Sequence, residues 1–122
     1  MNGIDYLADT NAILYYLSGH ECMKVYKDSR FACSIISEME LLSYQHLSEA
    51  EEESIRGFLE SCELLSVSKP VREKTIEIRK KYAIKLPDAI IASSAIVNDL
   101  VLLTADKGFE RVKELKLNLL LL

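Results

Sequence analysis

Short apolar runs and longer stretches of helical spacing alternate along the chain. "IDYLAD" is a mostly apolar run ending at Asp9, and "TNAILYYLSG" then shows helical spacing with Gly19 as a stop, so strand followed by helix is expected. A second short helix is expected over about "HECMKVYKD", a strand at "FACSI", and a helix over "SEMELLSYQHL". Ser48 and Glu51 have capping-box spacing before "EAEEESIRGFLESC", in which Ile55, Phe58, Leu59 and Cys62 share one face. "ELLSV" is the next strand candidate. Ser68 and Pro70 open a helix in which Val71, Thr75, Ile78 and Tyr82 recur at helical spacing, with charged residues between them. The helix that starts at Leu86 and Pro87 and runs to about Asn98 is apolar on almost every face, so it must be buried. "LVLLTAD", "KGFERVKEL" and "KLNLLLL" then read as strand, short helix and last strand.

Strands apolar enough to be covered on both faces, alternating with helices, predict an α/β sandwich around a central, mainly parallel sheet. In such sheets a ligand site lies outside the carboxyl ends of the strands.

At 122 residues and 13.8 kDa the chain has the length of one compact domain, expected over 1–122. A hydrophobic fraction of 49% and a charged fraction of 28% are globular values. No stretch is long enough to span a membrane, and "LNLLLL" reads as a buried strand. No basic run followed by an apolar stretch opens the chain, which points to the cytoplasm. Cys22, Cys33 and Cys62 lack metal-ligand spacing and are expected as reduced thiols.

The net charge of −4 hides an asymmetry: residues 1–61 hold 4 Lys/Arg against 11 Asp/Glu, and residues 62–122 hold 11 against 8. Overall acidity argues against indiscriminate nucleic-acid binding, whose affinity comes mainly from cations on phosphates. The cluster Arg79, Lys80, Lys81 and Lys85, with Lys107, Arg111 and Lys113, could still supply a local basic track; the bland reading of the same residues is a solvated helix face.

Four acids bear on the chemistry. Asp9 and Asp106 end two predicted strands, Glu40 lies about a turn and a half beyond "FACSI", and Asp88 stands in the first turn of the apolar helix. Taken singly, each Asp also reads as a helix cap or a favourable charge at a helix start, and Glu40 as a surface residue. Together they would repel one another unless a cation held them, and a hard divalent ion such as Mg²⁺ or Mn²⁺ takes such oxygen ligands. That set suits phosphodiester hydrolysis, which needs no nucleophilic side chain. Neither His20 nor His46 lies in a setting that suggests a base.

"YLADTNAILYYLSG", "SIISEMELLSY", "LPDAIIASSAI" and "LVLLTADKGFERV", in this order and at this spacing, resemble the PIN-domain ribonucleases, most closely the small VapC-type toxins of toxin–antitoxin pairs. The resemblance covers nearly the whole chain. It implies a three-layer PIN-like sandwich and an Mg²⁺/Mn²⁺ site that cleaves RNA, commonly tRNA or rRNA. Asp9, Glu40, Asp88 and Asp106 would be its metal-binding and catalytic residues, supported by Thr10 or Asn11 and by Thr104. It also implies a homodimer and an antitoxin partner covering the acidic site. Glu38, two residues before Glu40, points about 200° away on a helix, so the two cannot share one metal; the family pattern selects Glu40. An aspartyl phosphatase would need an acid where Asn11 stands. Two further readings stay open on the sequence: a binding module that uses its acids only as caps, and an RNA-processing nuclease outside a toxin system.

Overall fold

Five strands pair in parallel in the order β3-β2-β1-β4-β5: β1 (Tyr6–Ala8), β2 (Phe31–Ser34), β3 (Glu63–Leu65), β4 (Val101–Thr104) and β5 (Leu117–Leu119). The computed structural model describes residues 3–122, so residues 1 and 2 of the expected unit lie outside the described residues. Helices α1 (Thr10–Leu17), α2 (Ile35–Leu42), α3 (Glu49–Ser61), α4 (Lys69–Lys81) and α5 (Leu86–Val97) connect the strands, with 3₁₀ helices over Glu21–Tyr26 and Lys107–Arg111. This is the α/β sandwich that the alternation predicts.

Side chains alternate across the sheet and split the core in two. Leu7, Ala32 and Leu102 face one layer, where they meet Ile78 of α4 and Ile91 and Ala95 of α5. Their neighbours Ala8, Cys33 and Leu103 face the other, with Ile13 of α1 and Ile55 and Phe58 of α3. Both faces of the central strands are therefore covered, which is why those strands read as unbroken apolar runs.

The chain winds outward from β1 through β2 to β3, then returns to β4 on the opposite side of β1. The strand order thus reverses between β1 and β4, and parallel sheets open a crevice at the carboxyl ends of such a pair. Ala8 is in register with Leu103, so the next residue of each strand, Asp9 and Thr104, come side by side.

Several local expectations are corrected. The helix expected over residues 37–47 starts at Ile35, because Ser34 at the strand end already accepts the Ile36 N–H at 3.1 Å, and it stops at Leu42. His46, expected inside that helix, instead takes a positive φ of 68° in the turn that follows. The two short helices are present as expected, shorter than their segments and of 3₁₀ form, in keeping with segments too short to offset α-helix nucleation. The closing apolar run is not buried throughout: β4 offers ladder partners only as far as Thr104, opposite Leu119, and Leu121 and Leu122 are 88% and 70% exposed. β3 is an edge strand with Glu63 and Leu64 exposed, so it is not covered on both faces. The expectation of three reduced thiols fails for two of them: Cys33 on β2 and Cys62 after α3 are joined as a disulfide, and Cys22 is free. Linear spacing could not reveal that pairing, because it arises from β3 lying beside β2, with Cys33 opposite Leu64. Among the described residues no helix is long and apolar enough to cross a membrane.

Candidate active site at the carboxyl edge of the sheet

Asp9 leaves β1 and closes the start of α1, its Oδ1 accepting the Ala12 N–H at 2.8 Å. Its Oδ2 accepts from the Thr104 hydroxyl at the end of β4. That hydroxyl in turn accepts the Asp106 N–H at 3.0 Å, so one threonine ties the two aspartates to one corner. Asp106 caps the 3₁₀ helix through Gly108 N–H at 2.8 Å. A side chain at Gly108 would bring a Cβ to 3.0 Å from Asp106 Oδ1, so the bare glycine lets this carboxylate sit where it does.

Asp88 differs from both. The residue preceding α5 is Lys85, which makes no side-chain cap, and among the described residues the Asp88 carboxylate makes no hydrogen bond. The body of α5, buried along Ala89, Ile91, Ala92 and Ala95, fixes Asp88 at the helix mouth.

Glu40 comes from α2 and is exposed, with Oε1 accepting from Thr10 Oγ1 at 2.6 Å. Thr10 has one proton to give, so its 2.8 Å contact with the fully buried Ser37 is one in which Ser37 donates. Ser37 was not singled out from the sequence; its only signal is a small polar residue one helical turn before Glu40. Glu38 lines a separate groove with Arg56 and Leu64, away from this corner. Asn11 is exposed and, among the described residues, makes no hydrogen bond to the four acids.

The electrostatics tie the acids together. Asp9 is only 6% exposed, and burial pushes its carboxyl from the ordinary 3.8 to about 6, with the charges of Asp88 and Asp106 adding to the rise against the hydrogen bonds from Thr104 and Ala12. Asp88 is also raised, by burial first and then by Asp106 and Glu40, with Lys85 opposing. Each acid thus acts on at least one other across the crevice. Among the described residues no three of them close on a single point as a preformed metal cage. All four offer hard oxygen donors around an opening, a set that fits an ion retaining part of its water shell.

The chain resembles known proteins over nearly its full length. The family model described as PIN domain matches residues 6–115. No curated protein matches the chain. Among solved structures it is similar to VapBC2 from Rickettsia felis bound to a DNA fragment from their promoter, with 25% identity, 96% of this chain and 99% of that chain covered, and a TM-score of 0.80. A toxin–antitoxin complex from Klebsiella pneumoniae matches at 28% identity over 91% of this chain and 95% of that chain, with a TM-score of 0.78. DNA-bound VapBC from Salmonella typhimurium, at 24% identity over 94% and 97% of the two chains, shares the fold with a TM-score of 0.79. With 110 consecutive residues matched and a crevice at the β1/β4 reversal, this chain belongs to the PIN domain family.

Proposed function

We propose that the chain is a divalent-metal-dependent endoribonuclease that hydrolyses RNA phosphodiester bonds and serves as the toxin of a type II toxin–antitoxin pair. The observation that carries the reading is the mutual action of Asp9, Asp88, Asp106 and Glu40 at the β1/β4 crevice, where burial and neighbouring charge raise Asp9 and Asp88. Acids held so close to one another are relieved by a cation. In this reading all four acids hold Mg²⁺ or Mn²⁺, which when bound polarises a phosphoryl oxygen and activates water. Thr104 fixes Asp9 Oδ2, and Thr10 fixes Glu40. Asn11, exposed beside Asp9, hydrogen-bonds water or substrate at the same edge.

The likeness to toxin–antitoxin structures at 25% and 28% identity, nearly end to end, supports the toxin role and an antitoxin partner; in this reading, which follows the family resemblance, that partner covers the acids and the chain pairs as a homodimer. The RNA is tRNA or rRNA, and the compartment is the cytoplasm.

The test is cleavage of total cellular RNA by purified protein with Mg²⁺ or Mn²⁺, with EDTA, and with the Asp9→Asn and Asp88→Asn variants. Fragments should require metal. They should fall in both variants by at least the roughly 10–100-fold typical of outer-shell metal partners, with far-UV circular dichroism unchanged. Cleavage in EDTA, or full activity of Asp88→Asn, would overturn the assignment.

A further inference from the structure

Seven of the fifteen Lys and Arg residues lie between positions 79 and 113: Arg79, Lys80, Lys81, Lys85, Lys107, Arg111 and Lys113. They come from two segments, the end of α4 with the connection to α5, and the 3₁₀ helix after β4 with the residues that follow it. The fold stitches these segments together. The Arg111 guanidinium donates to the Ala83 carbonyl, and the Tyr82 hydroxyl donates to Glu114 Oε1 at 3.1 Å. Within the first segment, Arg79 Nε donates to the Ile84 carbonyl at 3.3 Å and holds the bend.

Residues 81–85 therefore run beside 111–114, and two hollows follow one another along the seam. The first is lined by Lys85 and Asp88 from one segment and by Asp106 and Arg111 from the other. The second is lined by Lys81, Tyr82, Lys113 and Glu114. Among the described residues none of the seven cations is ion-paired with a carboxylate; the pairs in this half of the chain are Lys69–Glu73, Lys74–Glu77 and Lys116–Asp99. Lys85 acts on Asp88 and Lys81 on Glu77 through space, and Lys81 lies over the Tyr82 ring at 5.8 Å, but among the described residues no carboxylate lies within ion-pair distance of any of the seven.

From this juxtaposition we infer that the seam is the path of a single-stranded RNA leaving the acidic edge, with successive backbone phosphates on Lys85, Lys81 and Lys113. Crowded carboxylates repel a polyanion, and a track of cations starting three residues from Asp88 offsets that repulsion where the strand must approach. Arg79 and Arg111 shape the track through backbone carbonyls, and the three lysines meet the phosphates. The inference rests on the ribonuclease reading for its substrate, but its test leaves all four acids intact.

The test compares wild type, a Lys81→Gln/Lys85→Gln/Lys113→Gln variant, and a Lys69→Gln control at the far end of α4. A labelled single-stranded RNA is titrated at several salt concentrations in Ca²⁺, and cleavage is measured in Mg²⁺ or Mn²⁺. Each phosphate contact on a single strand contributes roughly 0.7 to the slope of log affinity against log salt. The triple variant should therefore lose about 2 from that slope and raise KM more than it lowers kcat, while Lys69→Gln matches wild type. If wild type cleaves RNA and the triple variant binds it with the same affinity and slope, the seam is not the RNA path and the ribonuclease reading stands. If nothing is cleaved but RNA binds through the three lysines, the seam stands and the ribonuclease reading falls. Absence of both binding and cleavage overturns both.

Discussion

Asp9 divides its work between two oxygens, one ending a strand–helix junction and one facing Thr104. The capping reading and the active-site reading are therefore compatible at this position. Its carboxyl titrates near 6 rather than 3.8, so the folded chain binds more protons than the unfolded chain between those values. Its contribution to stability then falls as pH rises from about 4 to about 6 and stays unfavourable above. Asparagine keeps the cap through its carbonyl oxygen and can donate its amide to the Thr104 hydroxyl. Asp9→Asn is thus expected to raise the Tm at pH 7 in EDTA by several degrees, a gain on the order of 1–3 kcal/mol, and the gain should vanish below pH 4. Thermal melts of both proteins at pH 4, 5.5 and 7 check this, and identical Tm values at all three would contradict it. The position of Asp9 was legible because a lone acid ends an apolar run. The threonine that holds it is 95 residues away, and its hydrogen bond became visible only with β1 and β4 side by side.

At the scale of elements, α5 and α3 show two kinds of specification. α3 is set locally: Ser48 and Glu51 form the reciprocal capping box that their spacing predicts, with N···O distances of 3.0 and 3.1 Å. α5 is set by burial, since it lacks a side-chain cap and carries serines inside the core. Ser94 Oγ donates to the Ile90 carbonyl at 2.8 Å, whereas the fully buried Ser93 Oγ has no partner among the described residues. Removing an unsatisfied buried hydroxyl relieves its desolvation cost, so Ser93→Ala is expected to stabilise the protein by about 1 kcal/mol. A higher denaturant midpoint at unchanged RNA cleavage would bear this out, and a lower midpoint would show that the hydroxyl has a partner in solution. The 3₁₀ helices were legible as short helices but not as 3₁₀. The apolar and polar positions over five or six residues do not separate the two periods, and hydrogen-bond geometry does.

For the whole molecule, the strand order has the largest consequence. Because the chain returns to β4 beside β1, acids 97 residues apart in sequence, Asp9 and Asp106, end at one crevice, with Asp88 brought to it by α5 and Glu40 by α2. On the proposed metal-dependent function a cation at this crevice would bind only the folded chain, so Mg²⁺ or Mn²⁺ should raise the Tm of wild type by mass action. Asp88→Asn should blunt that shift, as differential scanning in metal and in EDTA would show; an equal shift in the variant would place the ion elsewhere. By itself the sequence determined the alternation of strands and helices, the parallel sandwich, the buried character of α5 and the placing of Asp9 and Asp106 just past strands and of Asp88 in a first helical turn, because periodicity and residue chemistry are local properties of the chain. Tertiary structure alone decided that Thr104 bonds Asp9, that Cys33 meets Cys62, that the final leucines stay outside, and that two basic segments run side by side. Those facts depend on which strands are neighbours and where a ladder runs out of partners, and contacts between residues distant in the chain leave no periodic trace in it.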